Sequence, residues 1–195
     1  MLRITSGIFR GRTLQAPSGS QTRPTQAKLR QALFNSIQFS VPDAVVLDLF
    51  AGSGALGFEA LSRGAERVVF VENSAAAQRL IRKNAEMLEV TDRIQILPRS
   101  VETLTEVSSD QKPFDIILAD PPYEGDWEHY LLNNLPWARL LKPGGHFCLE
   151  SGVTKTKAGV LPDEVSGLRK VREKDYGDSR LTTFVRPSSE DSHGD

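Results

Sequence analysis

From residue 44 onward, short apolar runs alternate with stretches of helical period. Runs at 44–50, 67–71, 93–97, 114–119 and 146–150 predict buried strands. The intervening patterns at 54–63, 74–88, 101–107 and 127–140 predict helices. Strands that are apolar on both sides and alternate with helices predict a mostly parallel sheet covered on both faces. Before this array, 4–5 and 13–16 predict a small hairpin around a glycine-bearing turn, followed by the polar loop 17–24. Thr25 is placed to cap a helix in which Leu29, Leu33 and Ile37 recur at four-residue spacing, with Lys28, Gln31 and Asn35 on the opposite side. After the array, 168–174 and 181–185 predict a closing hairpin around Tyr176-Gly177-Asp178-Ser179. The end, 187–195, is polar and expected to be flexible.

Composition narrows the class. The chain has 195 residues, 39% apolar and 25% charged, so it can bury a core of its own. No apolar run reaches the roughly 18 residues of a membrane-spanning helix. The start, MLRITSGIFRGR, is positive but has no apolar stretch behind it, which excludes a secretory signal and predicts a cytoplasmic protein. Cys148 is the sole cysteine and the three histidines are widely spaced, so neither a disulfide nor a metal cage is expected.

Charge changes the picture more. Residues 1–42 carry six cations and no acid, against a net charge of −1 for the whole chain. The expected organisation is a basic extension over 1–42 that meets a polyanion, a catalytic domain over 43–186, and the tail. Arg10, Arg12, Arg23, Lys28 and Arg30 are its candidate phosphate contacts.

Two motifs carry the chemistry. Asp48-Leu49-Phe50-Ala51-Gly52-Ser53-Gly54-Ala55-Leu56-Gly57 leaves the first strand of the array and opens a helix. Gly52, Gly54 and Gly57 match G-x-G-x-x-G, which permits a tight turn and close approach of backbone to a ligand. Glu72 ends the next strand, where a carboxylate can accept hydrogen bonds from ribose hydroxyls. A dinucleotide site would use the same parts. However, Asp48 would face a pyrophosphate with a like charge, whereas it suits a ligand with a cationic amine. S-adenosylmethionine, with an amine, a sulfonium, a ribose and one carboxylate, fits that pattern. No Walker lysine is present, which excludes a nucleoside triphosphatase.

The second motif, Asp120-Pro121-Pro122-Tyr123, follows the fourth strand of the array and therefore faces the same crevice. The prolines stiffen the chain and remove donors, leaving backbone carbonyls as acceptors. Asp120 adds a carboxylate and Tyr123 a flat ring for stacking on a base. The amino lone pair of a nucleobase is delocalised into its ring. Hydrogen bonds from both N–H groups to Asp120 and the Pro121 carbonyl would orient the nitrogen for in-line attack on a methyl group. Asp120 or water then receives the proton. Trp127 reads as a helix-packing residue or, alternatively, as part of the frame of the base pocket, Trp137 as core, and His146 and Cys148 as sheet residues.

With these residues in view, the sequence resembles the RsmD family, the bacterial 16S rRNA guanine-N2 methyltransferases. The carriers are Arg3-Ile4 with Gly7, Phe9-Arg10-Gly11-Arg12, Thr22-Arg23-Pro24-Thr25, the runs from Arg30 to Asn35, Val46 to Gly57 and Glu59 to Ala65, Val69-Phe70-Val71-Glu72, Asp120-Pro121-Pro122-Tyr123 and Tyr176-Gly177-Asp178. The resemblance implies an α/β, Rossmann-like class I methyltransferase fold, with a seven-stranded mostly parallel sheet and helices on both faces, plus the basic hairpin–helix extension. It implies S-adenosylmethionine as cofactor and no metal. Its partner would be 16S rRNA within a partly or fully assembled small ribosomal subunit, met by a monomer away from membranes, in ribosome biogenesis. The target-amine site falls on Asp120, Pro121, Pro122 and Tyr123, and the cofactor site on Asp48, Phe50, Gly52, Gly54, Glu72, Ser100 and Val101. Relatives commonly carry an Asp after the third strand to hold the adenine amine, and Ser100 stands there here. Three alternatives remain: a DNA adenine-N6 or other exocyclic-amine methyltransferase, a non-catalytic RNA-binding assembly factor on the same fold, and a dinucleotide-dependent oxidoreductase.

Overall fold

Strand Val45–Leu49 (β3) lies between Arg67–Val71 (β4) and Phe114–Ala119 (β6) and runs parallel to both. Successive residues of each strand go to opposite faces. Val46, Val68, Phe70, Ile116 and Leu118 enter one buried cluster, while Leu47, Val69, Val71, Ile117 and Ala119 enter the other. Apolar on both sides, these strands need helices on each. Pro24–Ser36 (α1), Ala55–Ser62 (α2) and Ala75–Leu88 (α3) cover the first face through Leu33, Phe58 and Ile81. Trp127–Asn134 (α4), Trp137–Leu140 (α5) and the 3-10 turn Val101–Thr105 cover the second through Leu131, Trp137 and Leu104. This computed structural model describes residues 2–17, 24–105, 112–153 and 161–188.

Ile94–Leu97 (β5) and Leu141–Gly152 (β7) complete the parallel part; Ser179–Val185 (β10), Leu168–Tyr176 (β9) and Glu164–Val165 (β8) add antiparallel strands. The order is β5-β4-β3-β6-β7-β10-β9-β8. Among the described residues the main sheet therefore has eight strands rather than the expected seven. The extra one arises because Ser166 (φ 51°) and Gly167 (φ 79°) make a tight turn that folds β8 onto the start of β9. The closing hairpin is longer than its apolar pattern and turns at Gly177-Asp178.

Three boundaries move for local reasons. The expected helix over 127–140 is two helices, because Pro136 has no N–H and forces Leu135 into extended backbone (φ −77°, ψ 140°). The helix expected to be capped by Thr25, and so to start at Gln26, begins two residues earlier, at Pro24, whose missing N–H has no partner to lose in a first turn. The N-terminal hairpin pairs Leu2–Arg3 (β1) with Thr13–Leu14 (β2), a slip from the predicted 4–5. The short helix predicted over 101–107 is described only to Thr105, and the predicted tail lies mostly outside the described residues.

The hairpin and α1 share their core with the sheet: Leu2, Ile4, Leu14, Leu29, Leu33 and Phe34 join the α2–α3 cluster. Glu59 of α2, fully buried, locks this arrangement. It accepts from the Thr5 N–H (2.8 Å) and hydroxyl (2.7 Å), and pairs with Arg63 (2.9 Å) and Arg30 (3.4 Å). Gly7 abuts the end of α2 so closely that a Cβ would lie 1.8 Å from the Ser62 carbonyl oxygen. Among the described residues no helix is long and apolar enough to cross a membrane.

Candidate active site

β4 lies on one side of β3 and β6 on the other, so the chain leaving the carboxyl ends of β3 and β6 opens a crevice. Both motifs sit there. Leaving β3, Phe50 (φ 56°), Gly52 (φ 55°) and Gly54 (φ 82°) are left-handed. That conformation is uncommon for an aromatic residue and concentrates at functional sites. The glycines have different jobs. A Cβ on Gly57 would fall 2.2 Å from the Phe70 ring, so this residue lets α2 lie against β4. A Cβ on Gly52 would meet only the Phe50 carbonyl, at 3.9 Å, so its backbone is open to a ligand.

The turn is held by buried side chains. Glu72 accepts the Gly52 N–H on Oε2 and the Ser74 N–H on Oε1, both at 2.7 Å. Asp48 accepts the Gly57 N–H on Oδ2 at 2.9 Å. Burial pushes the Asp48 carboxyl up to about 8 against that hydrogen bond, with the Asp120 and Glu72 charges adding to the rise. A cation brought to Asp48 would ionise it. Asn84, fully buried on α3, ties the turn to the extension: its amide donates to the carbonyls of Ser53 and Gln15 (both 3.0 Å) and accepts the Gln15 N–H (2.7 Å). The sequence offered only a polar residue inside an otherwise amphipathic helix as its signal.

The crevice contains a cavity of about 440 Å³ lined by Phe50, Glu72, Ser100, Val101 and the whole Asp120–Tyr123 segment. An adjoining hollow of about 260 Å³ is lined by Arg30, Asp48, Gly52, Asp120 and Glu150, and the two share Phe50 and Asp120. All the predicted cofactor and target-amine residues thus converge except Gly54, which lies beneath as the N-cap of α2.

Asp120 opens into the crevice, and burial raises its carboxyl above the ordinary carboxylate range. Tyr123 is 60% exposed; its ring lies on Gly152, where a Cβ would approach its Cδ1 to 3.1 Å. Its hydroxyl donates to Glu150 Oε1 at 3.4 Å and lies 3.4 Å from Ser179 Oγ. Trp127 takes the second of its two expected roles, at the pocket rather than in helix packing alone. It lines the cavity, with its ring edge-on to Phe50 at a centroid distance of 4.9 Å. Glu150 was missed altogether. Its only signal in the sequence was an acid at the end of a predicted apolar strand; its place near Asp120 follows from the β6–β7 pairing.

The basic residues separate. Arg10, Arg12 and Lys28 are exposed, and Arg12 donates to the Met87 carbonyl at 2.6 Å. Arg23 lies outside the described residues. Arg30 departs from its expected place among the phosphate contacts. It is 6% exposed, and its guanidinium goes to Glu59 and to the Arg3 carbonyl (2.6 Å) because the face of α1 that carries it packs inward.

The family described as Conserved hypothetical protein 95 matches residues 2–185. The chain is 31% identical over 163 residues to the Ribosomal RNA small subunit methyltransferase D of Haemophilus influenzae, covering 83% of each. It is similar in fold to the Escherichia coli protein yhhF, with TM-score 0.77, 30% identity, and 96% and 98% of the two chains covered. It is also similar to the Thermus thermophilus 16S rRNA N2 methyltransferase (RsmC) in complex with AdoMet and guanosine. There the TM-score is 0.65 at 27% identity, over 88% of this chain and 45% of that one.

Proposed function

The chain belongs to the family described as Conserved hypothetical protein 95, the RsmD family of methyltransferases, and on that premise we propose that it methylates the N2 amine of one guanine in 16S rRNA, using S-adenosylmethionine. The observation that carries this reading is the convergence of the glycine turn and Asp120-Pro121-Pro122-Tyr123 on one crevice.

S-adenosylmethionine supplies an electrophilic methyl group. The residues present fit it. Asp48 is a buried carboxyl with one oxygen engaged by an N–H, and a carboxyl raised by burial in this way is complementary to a cation. It holds the amine. Glu72 has one N–H on each oxygen and keeps a lone pair on each for the ribose hydroxyls. Gly52 would offer its backbone to the methionine part, while Phe50, Ser100 and Val101, which line the larger cavity, would hold the adenine.

On the opposite side, Asp120 and the Pro121 carbonyl accept the two N2 hydrogens, and the Tyr123 ring stacks on the base. This fixes the nitrogen lone pair toward the methyl group, mainly a positioning effect. As the C–N bond forms the S–CH3 bond would break, leaving neutral S-adenosylhomocysteine, and the nitrogen, now carrying the positive charge, would lose a proton to Asp120. A raised carboxyl is matched to that task near neutral pH. The base must be unpaired or flipped to enter, at a cost of about a few kcal/mol. Arg10, Arg12, Arg23 and Lys28 offset this by neutralising phosphates. The substrate is rRNA in the small ribosomal particle.

The test is transfer from labelled S-adenosylmethionine to small-subunit particles and rRNA lacking the modification, with analysis of the nucleosides. N2-methylguanosine is expected. N6-methyladenosine instead would overturn the assignment of the target while keeping the chemistry of the Asp120 motif.

A further inference from the structure

We propose that Glu150 is the residue by which the site tells guanine from adenine, accepting the N1–H of the base beside the N2 amine held at Asp120; this rests on the function proposed above. An Asp-Pro-Pro-Tyr segment grips an exocyclic amine and has no means of its own to distinguish which purine carries it. The discriminating group must face the ring atom next to that amine.

The sheet puts Glu150 there. β6 and β7 pair in parallel with Leu118 opposite Cys148 and Ala119 opposite Leu149. Asp120 and Glu150 come directly after that last paired row, and their carboxyls are close enough to act on each other. Leu118 and Cys148 both enter the cluster beneath α1, so by alternation Asp120 and Glu150 point to that same face. Both line the hollow that holds Asp48 and Gly52. Glu150 is only 7% exposed; the Tyr123 hydroxyl reaches it at 3.4 Å and Ser179 also hydrogen-bonds to it. A carboxylate has about four lone-pair sites, so with two hydroxyl partners it keeps acceptor capacity for a further N–H.

Guanine presents two adjacent donor groups on its Watson–Crick edge, N1–H and the N2 amine, both bonded to C2. Two side-by-side carboxylates are complementary to that pair. Adenine presents an amine next to a bare N1 lone pair, which an ionised Glu150 would repel. Burial and the Asp120 charge raise the Glu150 carboxyl, while Ser179, Tyr123 and Arg30 act the other way. A donated N1–H works in the same direction as those three.

The experiment crosses two enzymes with two RNAs. One RNA carries the target guanine and the other carries 2-aminopurine in its place, which keeps the N2 amine and lacks the N1–H. The wild type should prefer guanine by about 100-fold or more in kcat/KM. In Glu150→Gln the amide can offer its carbonyl to N1–H or its NH2 to a bare N1, so the preference should fall below about tenfold. Glu150→Met should lower guanine transfer to the 2-aminopurine level. Cofactor affinity should stay within about twofold in both, which also reports folding. If Glu150 merely held Tyr123, both RNAs would suffer equally, and an unchanged ratio in the two variants overturns the proposal. A wild type without the preference overturns it as well. Failure of the wild type to form N2-methylguanosine at all would overturn the functional reading, and this inference with it.

Discussion

The β3–β4 side of the crevice and the β6–β7 side are completed to different degrees. On the first, each carboxylate already has a short backbone partner: Glu72 holds the Gly52 and Ser74 N–H groups at 2.7 Å and Asp48 holds that of Gly57 at 2.9 Å. On the second, the hydrogen bonds that tie the Tyr123 hydroxyl to Glu150 and Ser179 are 3.4 Å long, Tyr123 is largely exposed, and the Asp120 and Glu150 carboxyls are both raised. A small cofactor can be met by a preorganised cradle, which keeps the cost of binding low. A base that arrives on a folded RNA brings its own N–H donors, and the acceptors on this side are completed by them. Pre-formed geometry is thus concentrated on the cofactor side, while desolvated carboxyls lie on both, at Asp48 and at Asp120 and Glu150.

If that division is right, the sides should fail separately. The largest effect belongs to Asp120→Ala, which should reduce methyl transfer by about 10³-fold while cofactor affinity, measured calorimetrically, stays within about twofold. The same group sets a pH dependence. A carboxyl raised to about 6 is ionised above that value and protonated below it. Turnover under saturating cofactor should therefore fall as pH drops through about 6, and a flat profile across that range would remove Asp120 as proton acceptor.

Gly52→Val attacks the opposite side. Its φ of 55° is one that a β-branched residue tolerates poorly, at roughly 1–3 kcal/mol, and the added side chain would enter the open space proposed for the cofactor. Cofactor affinity should drop on the order of 100-fold with RNA binding unchanged. Equal loss of both would mean that the two sides are one cooperative unit.

Most of this division was legible in the chain. Period and punctuation located the parallel strands, since strands buried on both faces leave continuous apolar runs, and the two motifs located both sides of the crevice. Long-range register was not legible. Nothing local in Leu149-Glu150-Ser151 says that Glu150 stands beside Asp120, and only the β6–β7 pairing does. Nor does a basic stretch reveal which of its cations fold inward. Arg30 sits one position after the buried Leu29 and is turned toward Glu59, a partner 29 residues away. Pro136 was visible in the sequence, yet an apolar pattern running across it outweighed the break that its missing N–H imposes.

The smallest expected effect separates delivery of the RNA from its chemistry. Arg10 and Arg12 stand exposed on the turn of the N-terminal hairpin, whose ends are fixed to α2 by Thr5–Glu59 and by the Phe9 N–H to Ser62 Oγ at 2.9 Å. A turn anchored in this way presents its charges at a set distance from the crevice. Phosphates held there would guide the base toward Tyr123 without touching the cofactor side. Reversing both charges, Arg10→Glu with Arg12→Glu, should weaken RNA binding about tenfold at low salt. It should also flatten the slope of log K against log salt by about one for each phosphate that is no longer neutralised. Cofactor affinity should not move, and turnover at saturating RNA should recover most of its wild-type value. A salt slope that stays the same would place the phosphate path elsewhere. A fall in turnover that saturating RNA does not rescue would mean that this turn helps to shape the base site itself.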